Sequence, residues 1–297
     1  MGTNGAYRRI EVVPLAGALG AEISGVSLAE PLADEVVAEI HAAWLQHLVI
    51  FFREQTITPA QQVAFARHFG ELDTYPFIKP LPGHPEVIPI IKERDSRYNF
   101  GGGWHSDTSY VKCPPKATML YAIEVPGAAG DTLFANMYAA YEALSPGLRR
   151  LLDGLVGVFT PSKVHGTGGF YQNADHAMEK QKGVDPEQRV EHPIVRTHPE
   201  TGRKALYLSM PHTERFKQMR TEESRPLMDF LVQHQTKAEF TARFRWREGS
   251  IALWDNRCVQ HYALNDYHGE RREMHRITIQ GDAPTGPAFA AASASAV

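Results

Sequence analysis

The chain has 297 residues, 43% hydrophobic and 22% charged, an ordinary composition for a globular protein whose core needs no disulfide framework. Its 31 Lys and Arg against 34 Asp and Glu give a net charge of −3, which argues against a nucleic-acid surface but not against a small anion held by one or two placed cations. No run approaches the roughly 18 apolar residues of a membrane span, and MGTNGAYRRIEVVPL lacks a secretory core, so a cytoplasmic protein with no membrane partner is expected.

Residues 8–15 and 20–24 read as short strands set off by Gly and Pro. The helical spacing of Val36, Ile40 and Ala43 predicts a helix over 33–47, running into the apolar strand 48–52. A second helix is predicted over 59–69, capped by Thr58 with Pro59 at its first position. From about residue 85 the texture turns to β-like runs: 87–91, 117–125, 131–136, 205–209, 250–256 and 272–281. Helices are predicted over 137–153, broken at Ser145-Pro146, and over about 221–235. The long polar stretch 161–192 reads as an active-site lid loop, and 284–297 (from PTGPAF onward) as a disordered tail. Residues 1–283 read as a single β-rich domain with flanking helices, closed into a sandwich or barrel.

Chemistry concentrates around Gly101-Gly102-Gly103-Trp104-His105-Ser106-Asp107. On an extended segment, residues i and i+2 share a face, so His105 and Asp107 would converge. His-x-Asp alone is common. It gains meaning from His261, placed 154 residues beyond Asp107 just past an apolar strand. Two imidazoles and a carboxylate with adjacent positions open suit non-haem Fe(II) and dioxygen. In Arg272-Glu273-Met274-His275-Arg276 the strand period puts both arginines on one face, costly unless anions meet them. Thr132 opens a strand after Gly130-Asp131.

His105-x-Asp107, Gly130-Asp131-Thr132, Trp254-Asp255-Asn256-Arg257 through His261-Tyr262-Ala263, and Arg272 through Arg276 together resemble the taurine dioxygenase family. That family comprises Fe(II)- and 2-oxoglutarate-dependent dioxygenases and includes the 2,4-dichlorophenoxyacetate and other aryloxyalkanoate enzymes. GALGAEISGVSLAEPL, FARHFGEL and Thr197-His198-Pro199 through Leu206 are similar as well, so the likeness spans about residues 10–283. The resemblance implies a double-stranded β-helix, a cupin-like jelly roll. It implies Fe(II) on His105, Asp107 and His261, with 2-oxoglutarate held by Arg272 and Thr132 and O2 as co-reactant. It further implies a small organic anion as substrate, gripped by Arg276, and a homo-oligomer, dimer or tetramer.

Where taurine-specific members carry a His, a Tyr and an Asn against the substrate, this sequence has Tyr75, Ile78 and Gly101, which points away from taurine. His212, in Leu208-Ser209-Met210-Pro211-His212, comes near the expected pocket, although a surface histidine is the commoner case for such a residue. Phe244 and Trp246 read as core packing. Two other classes fit the ligand set: a non-redox cupin-type enzyme, which would need neither Arg272 nor Thr132, and a binding protein that has lost catalysis.

Overall fold

The computed structural model describes residues 7–75, 78–167 and 184–289. In chain order it has β1 (Glu11–Pro14), β2 (Ala21–Ser24), α1 (Asp34–His47), β3 (Val49–Phe52), α2 (Pro59–Arg67), β4 (Leu72–Asp73), β5 (Ile88–Lys92), β6 (Ala117–Glu124), β7 (Thr132–Asn136), α3 (Met137–Glu142) and α4 (Pro146–Asp153). There follow β8 (Val156–Phe159), α5 (Ser162–His165), β9 (Val190–Pro193), β10 (Val195–Thr197), β11 (Lys204–Leu206), β12 (Thr213–Phe216), α6 (Thr221–Gln235), β13 (Thr241–Phe244), β14 (Ile251–Asp255), β15 (Val259–Ala263) and β16 (Arg272–Ile279).

The helix signals act as the sequence suggests. Thr58 accepts from Gln61 N while Gln61 Oε1 accepts from Thr58 N, a reciprocal cap with Pro59 next in line. Ser145 caps α4, so the Ser-Pro break separates two helices. Residue 48 takes a left-handed conformation and turns α1 directly into β3.

The largest sheet runs β1-β2-β3-β14-β6-β16-β4, with β5 also on β16. Its middle strands are buried on both faces, which explains the unbroken apolar run of β3. Ile50 and Phe52 face one way, into a cluster with Ile40 and Trp44 of α1 and Phe65 of α2. Val49 and Phe51 face the other way, toward the three-stranded sheet β13-β7-β15. Phe51 stacks on Phe244 of β13 at 3.9 Å and meets Phe134 of β7 edge-on at 5.7 Å. These rings close the two sheets on each other as the double-stranded β-helix, with α3 and α6 outside it.

Three expectations change. Within 161–192, residues 162–165 form a helical turn and 190–193 pair with β8; residues 168–183 lie outside the described residues. The expected strand 205–209 stops at Leu206. The tail does not begin at 284. Thr197 N donates to Thr285 O at 2.8 Å, and Gly286 lies so close to Val195 that a Cβ there would meet its carbonyl oxygen at 2.1 Å. Residues 290–297 are outside the described residues. Among the described residues no helix is long and apolar enough to cross a membrane.

Candidate active site

His105 and His261 meet as an isolated antiparallel bridge. His105 N donates to His261 O at 3.1 Å, and His261 N to His105 O at 2.9 Å. Their ring centroids are 4.2 Å apart. The chain reaches His105 through Gly101, whose φ of +82° and position suit glycine alone, since a Cβ would sit 3.3 Å from His105 Cε1. Asp107 sits not on a continuing strand but in a turn, followed by Thr108 at φ 36°. The carboxylate still arrives beside the imidazole: Asp107 Oδ1 is 3.8 Å from His105 Nε2 and 3.9 Å from His261 Nε2. One ligand atom from each of the three residues lies within 4.8 Å of the others.

His105 Nδ1 is 2.7 Å from Gly103 O, so this nitrogen carries the proton and Nε2 presents its lone pair. Burial pushes both imidazoles below their ordinary range. Burial alone would raise Asp107, but Arg276, the two histidines and a hydrogen bond from Thr118 outweigh it and hold its carboxyl far below the usual carboxylate range. At neutral pH the trio is therefore two neutral imidazoles and one carboxylate. Protons compete with a metal for these atoms, so Mn(II) affinity should persist on acidification past about pH 6.5, where free imidazole titrates. A titration of Mn(II) from pH 7.5 to 5.5 checks this; an affinity already collapsing at pH 7 would contradict it.

The alternation in β16 holds: Arg272, Met274 and Arg276 are buried, while Glu273 and His275 are less so. Arg272 has no hydrogen-bond partner among the described residues at Nε or Nη2 although it is buried, and burial lowers its pKa. Thr132 Oγ1 accepts from Trp246 Nε1 at 2.9 Å, which leaves the hydroxyl proton available for donation. Trp246 thus does more than pack the core, and its role was not readable from sequence. Arg276 Nη2 lies 3.1 Å from Asp107 Oδ1 without hydrogen-bond alignment, and its guanidinium sits 5.2 Å over the Tyr75 ring.

Two cavities meet at this cluster. The inner one is lined by His105, Asp107, Thr132, His261, Arg272 and Arg276, with Gly101, Ile90, Phe100 and Leu120 among the rest. The outer one, about 480 Å³, shares Gly101 and His105 and adds Trp104, Val164, Met210, Pro211, His212 and Val232, with Lys163 and Arg225. His212 is buried, not on the surface. Its Nδ1 is 2.8 Å from Ser109 Oγ, and burial, with His105 nearby, pushes its pKa down to about 3. Ile78 packs in the interior cluster with Ile88 and Ile90 and does not line either cavity among the described residues.

The family model for the taurine catabolism dioxygenase TauD, TfdA family matches residues 11–278. An alpha-ketoglutarate-dependent sulfate ester dioxygenase of Pseudomonas putida is 37% identical over 281 residues, 93% of this chain and 91% of its own. An alpha-ketoglutarate-dependent 2,4-dichlorophenoxyacetate dioxygenase of Cupriavidus pinatubonensis is 34% identical over 287 residues, 91% of this chain and 97% of its own. The crystal structure of a taurine dioxygenase from Burkholderia xenovorans superposes with a TM-score of 0.80 at 38% identity, covering 94% of this chain and 92% of that one. The protein belongs to the TauD/TfdA family and is a 2-oxoglutarate-dependent dioxygenase that works with Fe(II) and O2 on a small molecule.

Proposed function

We propose that the protein oxidises a small organic anion with an apolar remainder, such as a sulfate ester, sulfonate or aryloxyalkanoate, and that taurine is a poor substrate. The observation that carries this reading is the pair of buried arginines, Arg272 and Arg276, facing one interior beside His105, Asp107 and His261. Arg272 is a buried guanidinium with no carboxylate against it, and Arg276 shares Asp107 with the candidate metal site; an entering carboxylate or sulfonate offers each an anion of its own. A cytoplasmic homo-oligomer belongs to the same reading.

The residues present fit the cofactors. His105, Asp107 and His261 would hold Fe(II) through Nε2, a carboxylate oxygen and Nε2, leaving further positions open. Arg272 and the hydroxyl of Thr132, whose proton the Trp246 bond leaves available, would hold the distal carboxylate of 2-oxoglutarate. When bound, iron and 2-oxoglutarate supply an oxidation in which decarboxylation to succinate and CO2 is coupled to hydroxylation of a substrate C–H bond by O2.

The chain's own tasks are to bind, orient and exclude water. Arg276 grips the substrate anion with its planar fork of donors. The inner cavity is narrow in this state, about 30 Å³. Binding there requires Arg276 to withdraw from Asp107, a movement that a stronger oxyanion partner drives. The substrate's remainder extends past Gly101, which has no side chain to block the way, into the outer cavity. That space is of the size that takes a drug-sized ligand rather than a two-carbon one. None of its described lining residues is acidic, and Lys163 and Arg225 are cationic. An ammonium entering it would lose water and gain no partner.

The test is a comparison of kcat/KM for taurine, a medium-chain alkyl sulfate and a phenoxyalkanoate. Taurine should trail the better of the others by at least tenfold; taurine as the best of the three by tenfold would refute the pocket reading. Thr132→Val removes one hydrogen bond to a charged group, a loss of about 1.5–3 kcal/mol. The 2-oxoglutarate Kd should therefore rise roughly tenfold to 150-fold. An unchanged Kd would remove Thr132 from the cosubstrate site.

A further inference from the structure

The two carboxylate oxygens of Asp107 have different surroundings. Oδ1 faces His105 Nε2 at 3.8 Å and His261 Nε2 at 3.9 Å, on the side where the candidate metal ligands converge, with Arg276 Nη2 at 3.1 Å. Oδ2 accepts the Thr118 hydroxyl proton at 2.7 Å. Thr118 Oγ1 accepts in turn from Asn256 Nδ2 at 2.9 Å, and Asn256 Oδ1 accepts from Trp254 Nε1 at 3.0 Å. All four side chains are buried, so no bulk water competes for these bonds.

The polarity of this chain is set at both ends. An indole N–H can only donate, and an ionised carboxylate can only accept. The amide of Asn256 and the hydroxyl of Thr118 can each be turned either way in isolation. Between these two ends each has a single arrangement that satisfies every link.

The fold assembles the chain from neighbouring strands. Thr118 and Trp254 are cross-strand partners of β6 and β14. Asn256 opens the turn that leads into β15, where His261 lies. Asn256 N also donates to Lys116 O at 2.9 Å, which pins the turn against β6. The β14–β15 connection, which crosses from one sheet to the other, therefore supplies both a candidate metal ligand and the support of another.

We propose that Trp254, Asn256 and Thr118 form a positioning relay that holds Oδ2 away from the metal and leaves Oδ1 as the single coordinating oxygen of Asp107. The inference rests on the reading of Asp107 as a metal ligand. A carboxylate free to rotate can bind a cation with one oxygen or two. With both, Asp107 would take a coordination position that the cosubstrate or O2 needs. Loss of such a supporting partner typically weakens metal binding about 10–100-fold.

The experiment is a Mn(II) titration of the metal-free protein by calorimetry, paired with the visible spectrum of the Co(II)-loaded protein. Thr118→Val keeps the shape and removes the donor; Thr118→Ser restores it. Thr118→Val should weaken Mn(II) by about tenfold or more and change the Co(II) spectrum, while Thr118→Ser stays within about threefold of wild type with the wild-type spectrum. A purely structural threonine would show neither the spectral change nor its rescue. Asn256→Leu cuts the relay one link further out and carries the same expectation of direction, so a Thr118→Val protein that does not fold leaves the test standing. Wild-type Mn(II) affinity and Co(II) spectrum in whichever of these two variants folds overturn the relay. Asp107→Ala separates the underlying reading: if it binds Mn(II) like wild type, Asp107 is not a ligand and that reading fails instead.

Discussion

Replacing His261 by alanine is expected to give a folded protein that no longer holds Fe(II) stoichiometrically. The backbone bridge to His105 uses only His261 N and O, so it survives the change. Nδ1 of His261 makes no hydrogen bond among the described residues, so no partner is stranded. What is lost is one of three donor atoms drawn within 4.8 Å of one another. The remaining imidazole and carboxylate cannot keep a facial site against water. Metal analysis after anaerobic loading, read beside a thermal melt, decides it. Full iron occupancy with turnover would remove His261 from the ligand set.

Arg272→Ala is expected to weaken 2-oxoglutarate about 30-fold to several thousand-fold, the equivalent of about 2–5 kcal/mol for truncating one partner of a buried charge pair. The ligand-free protein should behave differently. There Arg272 is a buried cation whose Nε and Nη2 have no hydrogen-bond partner among the described residues, so its removal relieves desolvation without breaking such a bond. The melting temperature without cosubstrate should hold or rise, while the rise produced by 2-oxoglutarate disappears. A variant with unchanged dependence on 2-oxoglutarate would show that another cation holds the cosubstrate. Lys92, paired in register with Arg272, would then be the residue to examine.

The candidate ligand residues were legible because residue type and spacing carry them: His-x-Asp, a distant His after a core strand, and two arginines at strand period. The extended segment inferred for Asp107 was wrong in detail. Glycines at 101 and 103 and a left-handed Thr108 shape a turn that periodicity cannot register. The helices other than α5 and the longer apolar strands were also legible. The strands β8, β9, β12 and β13 have four residues each, too few for a period to emerge from polar neighbours.

Hidden altogether were the groups whose role depends on a partner far along the chain. Trp246 turns the Thr132 hydroxyl from 114 positions away, and Asn256 reaches Thr118 across 138. No local signal marks either pair; only strand register brings them together. His212 was expected near the pocket and lines the outer cavity, but its burial against Ser109 and Tyr110 could not be read from sequence for the same reason.

Oxidation of an organic anion coupled to decarboxylation of 2-oxoglutarate at His105, Asp107 and His261 is the proposed reaction. Its most direct test is the amount of succinate formed per substrate oxidised, with Fe(II) and O2 present, over sulfate esters, sulfonates and aryloxyalkanoates. Near one-to-one release is expected for at least one of these anions, absent without O2 and absent in Asp107→Ala. Substrate oxidation that proceeds without 2-oxoglutarate, or survives intact in Asp107→Ala, would contradict it.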